Sequence, residues 1–84
     1  MASLSRDAII AMRSETRKCE ERVSKLNEMR DKLAKKLADP GLYEPEKAGE
    51  AQVWQKKYAE VMGALEKAEG LWMRSLEKLD NAEG

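Results

Sequence analysis

The chain of 84 residues contains no histidine and no phenylalanine, one cysteine, two prolines and five glycines. Each shortage excludes something. Without histidine there is no imidazole general base, no histidine partner for a nucleophile and no histidine metal ligand. A single cysteine forms neither an internal disulfide nor a cysteine-rich zinc site. Five glycines and two prolines are too few for the turns of a many-stranded β-fold. The longest apolar run, Ala8 to Met12, falls far short of the roughly 20 residues a membrane span needs. No basic start followed by an apolar stretch marks a secretion signal. A reduced, cytoplasmic setting is the expectation, with no membrane partner, no cofactor, no metal and no small-molecule substrate.

An excess of one charge is also missing. Sixteen basic residues balance sixteen acidic ones, so bulk charge does not suggest a nucleic-acid binder. What the chain does have is charge, at 38% of residues, with abundant Ala, Glu, Lys, Leu and Arg. That mixture points to long helices. The length allows one small domain.

The strongest punctuation is Asp39-Pro40-Gly41-Leu42-Tyr43-Glu44-Pro45. Pro40 disfavours the α region for Asp39, so a first helix ends near Ala38. Lys35 and Lys36 stand in its last turn, where positive charge suits the helix dipole. Ser3 or Ser5 is placed to cap its start, with Asp7 in the first turn. Pro45 suits the first position of a second helix, since its missing N–H has no partner to lose there. Helix 1 is expected over about residues 5–38, the turn over 39–44 and helix 2 over 45–80, with Asn81 to Gly84 as a frayed end.

Both helices carry a heptad. With position a at Ile9, the a and d set is Ile9, Met12, Thr16, Cys19, Val23, Leu26, Arg30, Leu33 and Leu37. With position a at Ala51, the second set is Ala51, Trp54, Tyr58, Val61, Leu65, Ala68, Trp72, Ser75 and Leu79. Apolar residues dominate both, as a coiled coil requires. Folding the chain at the turn sets Leu37 against Ala51, Leu33 against Trp54, Val23 against Leu65 and Thr16 against Trp72. Large faces small along much of the seam, which fills a narrow interface without voids. Arg30 faces Tyr58, where its guanidinium can lie on the ring. The fold class is therefore all-α, an antiparallel two-helix coiled-coil hairpin. Residues 1–38 hold 10 basic and 6 acidic side chains, and residues 39–84 hold 6 and 10. A basic helix beside an acidic one favours this pairing over two identical helices.

Leu37-Ala38-Asp39-Pro40-Gly41-Leu42-Tyr43 resembles the hairpin turn of the C-terminal coiled-coil domain of Uup-type ABC ATPases, the ABC-F group. Leu65-Glu66-Lys67-Ala68-Glu69-Gly70-Leu71-Trp72, followed by Leu76-Glu77, is similar to the end of that domain's second helix. The likeness covers most of residues 15–80. It implies an accessory helical hairpin that follows two ATPase modules and contacts DNA, RNA or the ribosome. The pattern also resembles, less closely, the C-terminal arm of valyl-tRNA synthetase. No G-x-x-x-x-G-K-[ST] phosphate loop occurs here, so no ATP hydrolysis is carried over and no enzyme activity is expected. The chain is read as either an excised domain or a free-standing relative.

Two surface features are candidates for function. Lys18, Lys25 and Lys32 share heptad position c, in steps of about 10 Å, with Arg13, Arg17 and Lys35 nearby. Such a line can track a phosphate backbone with salt-sensitive affinity. The alternative is a solvated face balanced by Glu21, Glu28 and Asp31. Second, Ile10, Leu71, Met73 and Leu76 are apolar but lie outside the seam, near the end away from the turn. They suggest docking, by homodimerisation or against a parent ATPase domain, or a widened seam at Leu71 and Leu76. Gly63 and Gly70 share position f, as a tolerated weak spot or a place for a partner backbone. Leu42 and Tyr43 either cap the seam or enter a partner. Cys19 is expected to act as a small seam hydrophobe.

Overall fold

A computed structural model describes residues 5–84. Two helices, α1 (Arg6–Leu37) and α2 (Ala48–Glu83), run antiparallel and are joined by two short 3-10 turns, Pro40–Tyr43 and Pro45–Lys47. The rod measures 65 × 15 × 14 Å. Its cross-section is two helices wide, so every buried side chain lies in one seam or at the turn.

All eighteen a and d positions are buried or half-buried. Among the described residues, nine are buried: Thr16, Val23, Leu26, Leu42, Ala51, Val61, Leu65, Ala68 and Ser75. Eight of them are seam positions, and the ninth, Leu42, plugs the closed end. Val23, Leu26, Leu65 and Ala68 form the central cluster, with Ala64 and Trp72 packed against it. The all-α antiparallel hairpin expected from the heptads is the structure observed.

Local chemistry sets the ends. The Ser5 hydroxyl accepts from the Ala8 N–H at 3.2 Å, capping α1. Ser3, the other capping candidate, lies outside the described residues. After Leu37 the chain turns at Asp39, whose Oδ1 accepts from the Gly41 N–H at 3.0 Å. Pro40 then opens the first 3-10 turn. Leu42 folds back until only 2% of it is exposed. Tyr43 stays exposed, but its hydroxyl donates to the Leu37 carbonyl, tying the loop to the end of α1. No residue of the turn needs positive φ.

Three local expectations are corrected. Pro45 begins a 3-10 turn, and α2 starts at Ala48. Lys47, with φ -109 and ψ 12, is the bend between the two. Asn81 to Glu83 are helical to the end. Ala82 falls on the next d position and is half-buried, so the seam supports that last turn. Arg30 does not lie over Tyr58. Its Nε and Nη2 donate to Asp31 Oδ1 at 3.2 and 3.0 Å, and a charge-assisted hydrogen bond outweighs an exposed cation–π contact.

Among the described residues, two buried seam atoms have no hydrogen-bond partner. Thr16 Oγ1 and Trp72 Nε1 are buried without a hydrogen bond, whereas Ser75 Oγ donates to the Trp72 carbonyl at 2.7 Å. An unpaired buried hydroxyl costs about 1–3 kcal/mol. Valine keeps the shape of threonine and has a comparable helix propensity. Thr16→Val is therefore expected to stabilise the hairpin by about 1 kcal/mol or more, raising Tm by about 4–8 °C per kcal/mol in a thermal melt. A lower Tm would show that the hydroxyl has a partner in solution.

Candidate functional site

The seam divides the rod's surface into two long flanks. In this antiparallel pair, g positions of one helix stand beside g positions of the other, and e beside e. Observed contacts follow that rule. Arg13 Nε bonds Glu83 Oε1 at 3.1 Å, an e-to-e pair. On the other side, Arg22 of α1 shares a shallow groove with Glu60, Ala64, Lys67 and Leu71 of α2. A second groove on that side is lined by Ala11, Glu15, Leu71, Arg74 and Lys78, with Met12, Cys19 and Ser75 at its floor.

The flank built from c and g positions is basic. Helix α1 supplies Lys18, Arg22, Lys25, Lys32 and Lys36 to it. Helix α2, although acidic as a whole, supplies Lys57, Lys67, Arg74 and Lys78. Against these nine cations stand Glu15, Glu50 and Glu60. The c-position lysines, Lys18, Lys25 and Lys32, are exposed and repeat at about 10 Å per heptad. Lys36 and Lys57 lie over the Trp54 ring, their Nζ atoms 5.4 and 4.9 Å from its centroid. That contact orders both ammonium groups without neutralising them.

The other sequence candidates are dispersed. Arg13 and Arg17 occupy e and b positions, on the opposite flank, and Lys35 is on the outward f row. Arg13 is engaged by Glu83. Their hydrogen bond holds the Glu83 carboxyl below its ordinary value and raises the Arg13 guanidinium. The apolar candidates are all exposed but do not form one surface. Leu71 is on the basic flank, and Ile10, Met73 and Leu76 are on the opposite one. Leu71 and Leu76 are 53% and 42% exposed, so they do not widen the seam. Cys19 is half-buried in the seam beneath Leu71 and Arg74.

The reading of single helices missed Arg22, Lys36, Lys57, Lys67, Arg74 and Lys78 as members of the basic flank. The signal was present in the register, because c and g of both helices fall on one side once the pairing is antiparallel. Among the described residues, no group of three or more acidic, cysteine or histidine side chains is arranged to hold a metal ion. No helix there is long and apolar enough to cross a membrane. Comparison of the chain with protein-family models, curated proteins and solved structures finds no match.

Gly63 and Gly70 face outward on the f row. A Cβ at Gly63 meets nothing within 4 Å, and one at Gly70 meets only Arg74 Nη2 at 3.9 Å. The fold itself does not need either glycine. Gly63→Ala and Gly70→Ala should each stabilise α2 by about 1 kcal/mol, read as a rise in urea midpoint. If a partner backbone approaches there, the same variants weaken its binding while the midpoint still rises.

Proposed function

We propose that this chain is a non-catalytic accessory hairpin that contacts nucleic acid, alone or in a ribonucleoprotein, through the basic flank. The observation that carries this reading is the collection of nine cations from both helices on one side of a chain with no net charge. Polyanion binding depends on local density of positive charge, and net charge is a poor guide to it. The flank is long, carries no exposed aromatic ring, and offers lysine and arginine at heptad spacing. Such a surface neutralises phosphates and reads no bases. It suits a structured backbone better than a single strand, which needs stacking platforms. The likeness of the turn and of the Trp72 region to the Uup-type C-terminal domain supports the same role. A cytoplasmic setting is part of this proposal.

The test is an anisotropy titration with labelled duplex DNA, branched DNA and structured RNA at low and physiological salt. The expected result is binding that weakens steeply with salt and is lost in K18E/K25E/K32E. No binding at low salt overturns the reading.

A second reading, docking of a protein partner near the open end, rests on Ile10, Met73 and Leu76, which are exposed on one flank. Such docking survives salt and fails in the variant I10Q/M73Q/L76Q.

A further inference from the structure

The flank opposite the basic one is acidic. Its b and e positions carry Glu20 and Asp31 from α1 and Glu66, Glu69, Asp80 and Glu83 from α2. The cations among them are Arg6, Arg13 and Arg17. A second asymmetry has the same geometry. Of the eight exposed large hydrophobic residues among the described ones, Met29, Val53 and Leu71 stand on the basic flank. Ile10, Met62, Met73 and Leu76 stand on the acidic flank, and Tyr43 is at the turn. None is on the outward f rows. Apolar side chains confined to two strips of opposite charge mark a pair of contact surfaces.

We propose that copies of this chain associate side by side, the basic flank of one rod against the acidic flank of the next. The two surfaces have the same length because they belong to the same rod, and they differ in sign. A zero net charge leaves no overall repulsion to oppose the contact. The flank runs the length of α1, about 50 Å, along a rod 14–15 Å across, a footprint of at most about 700 Å² per copy, just under the roughly 800 Å² per partner of a standard interface. The contact is heterologous, so each added copy leaves one basic and one acidic flank open, and assembly continues beyond a pair. The opposite charges of the two flanks supply the attraction and set the pairing, and the interspersed apolar side chains only add contact area, so high salt disperses the assembly. The two readings share the basic flank, but this contact needs no nucleic acid and stands or falls without it.

Sedimentation velocity on nucleic-acid-free protein tests it, with two charge-reversal variants confined to exposed positions. K18E/K25E/K67E removes the basic excess of one flank, and E20K/E66K/E69K turns the other flank positive. Circular dichroism establishes that both remain helical. The wild-type chain is expected to form species heavier than a dimer as concentration rises at low salt, and to return to monomer at high salt. Each variant alone is expected to be monomeric. Their equimolar mixture should form small mixed complexes of no more than three copies, since each copy of the first variant keeps one acidic flank and can only end a chain. A wild-type chain that is monomeric at low salt up to millimolar concentration overturns the proposal. So does a mixture of helical variants that stays monomeric, or a variant that assembles alone as the wild type does. Should a variant lose helicity, the wild-type concentration and salt series decides the question by itself.

Discussion

Leu65→Ala is expected to lower the stability of the hairpin by about 2–5 kcal/mol, the range for truncating a buried leucine. Leu65 is 3% exposed at the centre of the seam and packs in the cluster with Val23, Leu26 and Ala68. A rod two helices wide has no second layer to relax into the cavity. Native domains are stable by about 0.05–0.15 kcal/mol per residue, so the loss is a large share of the total here. The variant should show a lower melting temperature and a partly unfolded population at the start of a far-ultraviolet circular dichroism melt. Leu71→Ala is the matched control, six residues further along the same helix. Leu71 is 53% exposed, and its truncation should change stability by no more than about 0.5 kcal/mol. Equal losses at the two positions would contradict the register of the seam.

The second large effect concerns salt and the contribution of α2. If about six phosphates are neutralised, the logarithm of affinity falls with a slope of about −5 against the logarithm of salt. Between 50 and 200 mM that is a loss of about 10³ in affinity. Lys67 and Arg74 stand on the acidic helix, yet the flank geometry gives them the same role as the α1 lysines. K67A/R74A should therefore weaken binding at every sequence tested and reduce the salt slope by about 2, one for each phosphate contact removed. A slope unchanged by K67A/R74A would confine the interface to α1. A slope near zero in the wild-type chain would remove the nucleic-acid reading altogether.

The fold was legible because periodicity reports which side of a helix is dry. The positions from Ile9 to Leu37 and from Ala51 to Leu79 were readable without any knowledge of partners, and all are buried or half-buried. Local exceptions came from competing local bonds. Arg30 found an acceptor next door in Asp31. Pro45 opened a 3-10 turn because Lys47 bends before α2 begins. Asn81 and Ala82, polar and small, lack the look of a helix end worth keeping, but the next d position falls on Ala82.

The candidate site was only half legible, and the reason is geometric. Lys18, Lys25 and Lys32 stand out because they repeat within one helix. Lys57, Lys67, Arg74 and Lys78 are scattered through an acidic sequence and join the basic row only across the seam. Conversely, Arg13 and Arg17 are neighbours of Lys18 in sequence but turn to the other flank, where Arg13 meets Glu83. The apolar set divides in the same way, with Leu71 on one side and Ile10, Met73 and Leu76 on the other. Proximity along a chain is a weak guide to which side of a two-helix rod a residue occupies.

The central claim is that the position of the charges, and not their number, makes the binding surface. Two variants with the same change in net charge separate these. K18E/K25E/K67E alters the basic flank, and R13E/R17E/K35E alters cations that lie elsewhere. Both are measured by anisotropy against duplex and structured nucleic acid at physiological salt, where the screening length is about 8 Å and distant charges no longer act. Helicity is checked by circular dichroism. The account predicts that the first variant loses affinity by about 100-fold or more, and that the second stays within a few-fold of the wild type. Equal losses in the two variants, or a greater loss in the second, would contradict it.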